Sequence, residues 1–335
     1  MKQHILDKCI NSVYGRTIIA GIFLATVFVL TPVSLMARLF DQWEGSELTS
    51  ELSTLEPAGS IATLAIPQDV RAIATVAKVK YVFANTGYTL DAVREREADV
   101  PRIQHAYLPN DLSTLTQANE RKGIFLHFML PYVLEANHRV AAQRARLVML
   151  DAKLKSGTPL AGTDIEWMAK LGQEYGVQSD NMSELLRRVD VMPPSLALAQ
   201  AAIESGWGTS RFAQEGNAPF GQWTTAKHEG LVPLGREAGK THKVRAYKTI
   251  NDSVASYLRN LNTHRAYREF RDVRASFRSK STPLNSLALA KALKSYSQIG
   301  DKYVGLLHRV IQGNDLTSLD QARLGSKIMS FQPDA

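Results

Sequence analysis

The chain has 335 residues, 44% of them hydrophobic and 21% charged, with a formal net charge of +8. That length supports one or two domains with a proper core, and that composition excludes wholesale disorder. The single cysteine, Cys9, excludes an intramolecular disulfide and a cysteine-built zinc site.

Residues 1–16 are followed by an uncharged run, Thr17 to Ala37, "TIIAGIFLATVFVLTPVSLMA". As a helix it would be about 31 Å long, enough to cross a hydrocarbon core. Lys2, Lys8 and Arg16 against Asp7 leave two positive charges on its N-terminal side, while Asp41, Glu44, Glu47, Glu51 and Glu56 follow it. This asymmetry predicts a cytoplasmic N-terminus and export of the rest, which in a cell with two membranes means the periplasmic side of the inner membrane. A retained anchor fits the length better than a cleaved signal peptide, which remains the alternative. The other six net charges fall beyond residue 37. They suit an anionic polymer or a membrane surface, or are an ordinary solvated basic surface. No base-reading motif points to nucleic acid.

Residues 38–100 read as a stalk or linker, most clearly in the Ser/Thr-rich, acidic stretch Gln42–Ser60. Residues 101–157 read as a helical segment capped at Asp111, with His127 and His138 structural and Pro131 kinking or splitting the helix. "SGTPLAG" marks a boundary. Residues 158–320 then carry helical patterns, the first with a Thr/Asp cap, and residues 321–335 form a tail. Gly230–Thr249 breaks the helical rhythm with Gly, Pro and alternation, which predicts a two- or three-stranded hairpin. The folded part is therefore mainly α, an α+β chain with one small β element.

The informative helix runs from Ser195, behind Pro193-Pro194, to a stop at Gly206. It is apolar all round except for Gln200 and Glu204, which share a face at i,i+4 spacing. Glu204 beside Trp207 has the surroundings that desolvate a carboxylate and keep it protonated near neutral pH, as a general acid requires. The alternative is a buried carboxylate paired with Arg211. Scattered histidines and the absence of His-Glu-x-x-His or a Gly-rich phosphate loop give no metal or cofactor.

The stretch "ALAQAAIESGWGTSRFAQEGNAPFGQW" closely resembles the glucosaminidase domain of glycoside hydrolase family 73, in its bacterial Bax-type branch. The likeness extends through "ERKGIFLHFMLPYVLEAN", "GKTHKVRAY", "SVASYLRNLNTHRAYREFR" and "YSQIGDKYV", roughly residues 100–320. Pro219 stands in the position of a usual leucine, and Arg265 where related sequences often have proline.

The resemblance implies a lysozyme-like fold with a small β lobe, cleavage of peptidoglycan glycan strands after N-acetylglucosamine, and Glu204 as the catalytic acid. It implies a second acid in the β element, for which Glu237 is favoured by position and Glu229 is the reserve; a route through the substrate's own acetamido group needs neither. Gln200, Trp207, Asn217, Phe220, Gln222, Trp223, Tyr247, Tyr267, Tyr296 and Tyr303 are the candidate substrate-binding side chains, with Tyr257 a further aromatic. A lytic transglycosylase and a non-catalytic wall-binding protein are the rival readings.

Overall fold

A computed structural model describes residues 75–104, 107–178, 180–224, 230–236 and 239–331, all within one compact unit. The expected membrane segment, the stalk core Gln42–Ser60, Glu229 and Glu237 lie outside the described residues. Among the described residues no helix is long and apolar enough to cross a membrane.

The unit opens with α1 (Val76–Thr86) and α2 (Leu90–Arg94), inside the stretch read as linker from its sequence. Here Val79, Phe83, Leu90 and Val93 face a core supplied by distant segments, so the local pattern was too short to reveal them. Strand β1 (Val100–Gln104) pairs in parallel with β4 (Leu324–Ser330), which occupies the supposed tail. Asp111 does not cap the long helix; its Oδ1 accepts from the Val76 N–H at 2.7 Å and so caps α1.

The long helix α3 (Ala118–Lys155) runs unbroken through Pro131. A proline lacks the N–H that would serve the carbonyl four residues earlier, at His127. Tyr88 supplies the missing donor from outside the helix, its hydroxyl reaching that carbonyl at 3.1 Å. His127 itself donates from Nδ1 to Gly123 O at 2.8 Å and accepts from the Leu90 N–H at Nε2, 3.1 Å away. Acceptance at Nε2 requires the neutral ring, and burial lowers its proton affinity accordingly.

Next come α4 (Gly162–Tyr175), which has no side-chain cap, and α5 (Met182–Arg188), capped by Asn181. Asp164, expected in a cap, instead pairs with Arg146 at 2.7 Å. The central helix is α6 (Pro194–Ser205), starting on Pro194 and stopping at Gly206, whose φ of 57° suits a residue without a side chain. It is enclosed by α3, by α10 (Ser286–Lys291), by α11 (Asp301–Gly313) and by the turn Leu316–Leu319. Every residue of α6 is buried except Glu204.

The short α7 (Arg211–Gly216) leads to the β lobe, where β2 (Trp223–Thr224) pairs antiparallel with β3 (Lys243–Val244) and Leu231 bridges to Val244. Helix α8 (Ile250–Thr263) starts on a reciprocal Thr249–Asp252 capping box, and α9 (Arg268–Ser279) follows. Among the described residues the fold is mainly helical with two small sheets. At the base of α9 lies a buried ion cluster that no local sequence pattern announces. Asp190 accepts from Arg278 at 2.7 and 2.9 Å, with Arg144 and Arg274 at 3.6 and 3.9 Å.

Candidate active site

Glu204 occupies the last turn of α6, and the turn behind it is locked by the core. Gly206, Trp207 and Gly208 have consecutive positive φ values of 57°, 60° and 81°. For a bulky residue such as Trp207 this backbone is costly and persists only where packing imposes it. Its indole is sealed in the core, edge-on to Phe125 at 5.9 Å, with the Lys122 ammonium 5.2 Å from the ring centre. A Cβ on Gly208 would stand 2.9 Å from both Leu112 and Phe125, so the backbone itself seats against those side chains. Ser205 donates to Ala201 O at 2.6 Å and accepts from the Gly208 N–H at 2.8 Å. That hydroxyl is structural.

Around the carboxylate the side chains form an ordered chain. Tyr257 donates to Gln200 Oε1 at 2.6 Å, Gln200 Nε2 donates to the Tyr303 oxygen at 3.1 Å, and Tyr303 donates to Glu204 Oε1 at 2.9 Å. Tyr296 stacks on Tyr303 with centroids 5.6 Å apart and donates to the Phe220 carbonyl at 3.3 Å. Phe220 in turn stacks on Tyr257 at 3.8 Å, and Tyr267 lies 5.9 Å from Tyr296. Gly221 lies beside the other carboxyl oxygen: a Cβ built there would stand 4.0 Å from Glu204 Oε2, an ordinary contact distance.

Burial raises the Glu204 carboxyl to about 7, and the Tyr303 hydrogen bond opposes part of that rise. Arg211 offers it no counter-charge: the guanidinium bonds Glu215 at 3.1 Å and the Val232 carbonyl at 2.6 Å. Among the described residues Glu204 has no ion pair. The carboxyl thus retains its proton far closer to neutral pH than a free glutamate does, is partly accessible, and is held at one oxygen. Such a group can donate a proton to a leaving-group oxygen.

The structure gathers Gln200, Phe220, Tyr267, Tyr296 and Tyr303 about Glu204, together with Tyr257. Four of the expected binding residues, Trp207, Phe220, Asn217 and Gln200, are buried by the packing around them. Trp207 turns its ring into the core because the turn needs an anchor there. Phe220 is 2% exposed, its face taken by Tyr257. Asn217 is fully buried; its Nδ2 donates to the carbonyls of Tyr247 and Lys248 at 3.1 and 3.2 Å, tying α7 to the β lobe. Gln200, also fully buried, hydrogen-bonds Tyr303 and Tyr257.

Trp223 is 56% exposed beside His242, at 4.5 Å between ring centres, and presents an aromatic face on the β lobe. Gln222 accepts from the Tyr247 hydroxyl, which also bonds Ser256 at 3.0 Å. Cavities of about 430 and 380 Å³ open elsewhere, the first lined by Arg102, Glu135 and Arg139, the second by His138, Pro194 and Asp320. Neither contains the Glu204 group.

A helical fold built round a carboxyl at the end of a buried helix, with no ion pair among the described residues and tyrosines over it, defines a candidate glycosidase-type site. Residues 179–316 match the glucosaminidase family, described as mannosyl-glycoprotein endo-beta-N-acetylglucosaminidase. The chain is 31% identical over 209 residues to protein bax of Escherichia coli (strain K12), covering 61% of this chain and 73% of that protein. It is 26% identical over 162 residues to peptidoglycan hydrolase FlgJ of Salmonella typhimurium (strain LT2), covering 45% of this chain and about half (49%) of FlgJ. No solved structure matches. The chain belongs to the glucosaminidase family, in its Bax-type branch.

Proposed function

We propose that this chain is an exported, membrane-anchored peptidoglycan hydrolase that cuts the β-1,4 bond after N-acetylglucosamine, with Glu204 as general acid. The observation that carries the reading is the carboxyl itself, poised by burial at about 7 and, among the described residues, without a cation paired to it. A carboxyl kept only for structure would be paired or exposed. The name of one relative, a peptidoglycan hydrolase, favours the same substrate class.

In this reading Glu204 protonates the glycosidic oxygen as C1 acquires oxocarbenium character, and Trp223 offers a stacking face to a sugar ring. The second role falls to Glu237, acting as base or nucleophile, or to the substrate's acetamido oxygen. The basic surface holds an anionic glycan, and the N-terminal segment tethers the enzyme beside the wall.

Digestion of purified sacculi, with product ends identified by mass spectrometry, tests it. New reducing N-acetylglucosamine ends are expected, and their loss in Glu204→Gln. Ends in 1,6-anhydro-muramic acid would instead make it a lytic transglycosylase, and binding without released fragments a wall-binding protein. Recovery of the uncleaved chain in the membrane fraction is expected; a shortened soluble form would replace the anchor with a signal peptide.

A further inference from the structure

We propose that Gln200 is a positioning residue: held by Tyr257, it fixes the sense of the Tyr303 hydroxyl and so places the acidic proton of Glu204 on Oε2. The inference rests on the reading of Glu204 as general acid and adds to it which oxygen acts and what decides so.

The chain of donors has one consistent direction. Tyr257 is fully buried, and among the described residues the acceptor for its hydroxyl is Gln200 Oε1, at 2.6 Å. That contact commits the amide oxygen and turns Nε2 toward Tyr303, 3.1 Å away. An oxygen that receives an N–H directs its own proton to the remaining acceptor, which is Glu204 Oε1 at 2.9 Å. Rotating the amide would reverse every bond and leave the buried Tyr257 proton without an acceptor, a costly exchange. Oε1 is therefore an acceptor in both protonation states, and the proton of the neutral carboxyl sits on Oε2, beside Gly221.

In the reaction the Oε2–H bond breaks as its proton passes to the glycosidic oxygen, which keeps the electron pair of the cleaved C1–O bond. Water adds to C1 and releases a proton that balances the one donated. The carboxylate left behind already faces the Tyr303 donor, so its charge is met without rearrangement.

The test compares the pH dependence of kcat and KM on solubilised glycan strands for the full chain in detergent and its Gln200→Met, Tyr257→Phe and Glu204→Gln variants. Gln200→Met is expected to lower kcat roughly 10–100-fold with KM within about twofold, and to move the alkaline limb upward because Tyr303 no longer holds the carboxylate form. Tyr257→Phe should move both in the same direction. A folded Gln200→Met or Tyr257→Phe variant, judged by thermal unfolding, with wild-type kcat and an unmoved alkaline limb overturns the proposal. Should Gln200→Met fail to fold, Tyr257→Phe, which removes one oxygen, decides alone. Retained turnover in Glu204→Gln would remove the general acid itself. Its loss there, with Gln200→Met unchanged, would remove only this inference.

Discussion

Asp320 binds Ser195 twice, its two carboxylate oxygens accepting from the backbone N–H at 2.8 Å and from the hydroxyl at 2.9 Å. It thereby caps the buried start of α6 from 125 residues away and ties the C-terminal turn to the helix that carries Glu204. The first turn of a buried helix needs such an acceptor, since solvent cannot supply one. Asp320→Ala is expected to cost about 1–2 kcal/mol in denaturant unfolding, and Asp320→Asn, which keeps an acceptor, less.

The Asp190 cluster predicts acid sensitivity. Burial alone would raise the Asp190 carboxyl, but hydrogen bonds from Arg278 and the charges of Arg274 and Arg144 outweigh it and leave it below the usual 3.8. A group depressed in the folded state contributes stability above its unfolded value and loses it as pH falls through the folded one. Asp190→Asn should therefore destabilise at neutral pH, by roughly 3–5 kcal/mol, because the buried Arg274 loses its counter-charge. The gap should narrow as pH falls below 3.8. Equal destabilisation across that range would assign the effect to packing.

The two tryptophans should separate cleanly. Trp207→Ala removes a core ring and is expected to cost about 3–5 kcal/mol, seen as a lowered Tm. Trp223→Ala removes an exposed ring, which should leave Tm unchanged while raising KM for glycan. A fall in Tm for Trp223→Ala, with KM unmoved, would return that ring to a structural role.

Glu204 should also be a stability liability. Its folded carboxyl is raised from 4.5 to about 7, so its contribution is fully present below 4.5 and is lost as pH rises to about 7. At pH 8 Glu204→Gln is expected to be more stable than wild type by up to about 3 kcal/mol, the difference vanishing toward pH 4.

The sequence made some of this legible and hid the rest for identifiable reasons. Helix α6 was plain because Pro194, an apolar run and Gly206 are local signals. Glu204 stood out because a lone carboxylate on such a helix has no cheap structural explanation. Trp207 misled for a related reason: adjacency to Glu204 in the chain says nothing of direction, and three left-handed residues turn the ring away. The parallel β1–β4 pair joins segments more than two hundred residues apart, and neither strand carries a pattern of its own. Likewise Pro131 was a sound helix breaker until Tyr88 supplied a donor that no local reading could see.

The central claim is a proton on Glu204 near neutral pH, and ¹³C-NMR titration of its side-chain carboxyl, assigned by loss of the signal in Glu204→Gln, measures it directly. The account predicts a midpoint near 7. A midpoint at the ordinary 4.5 would contradict it, leaving the carboxyl ionised where it should be an acid.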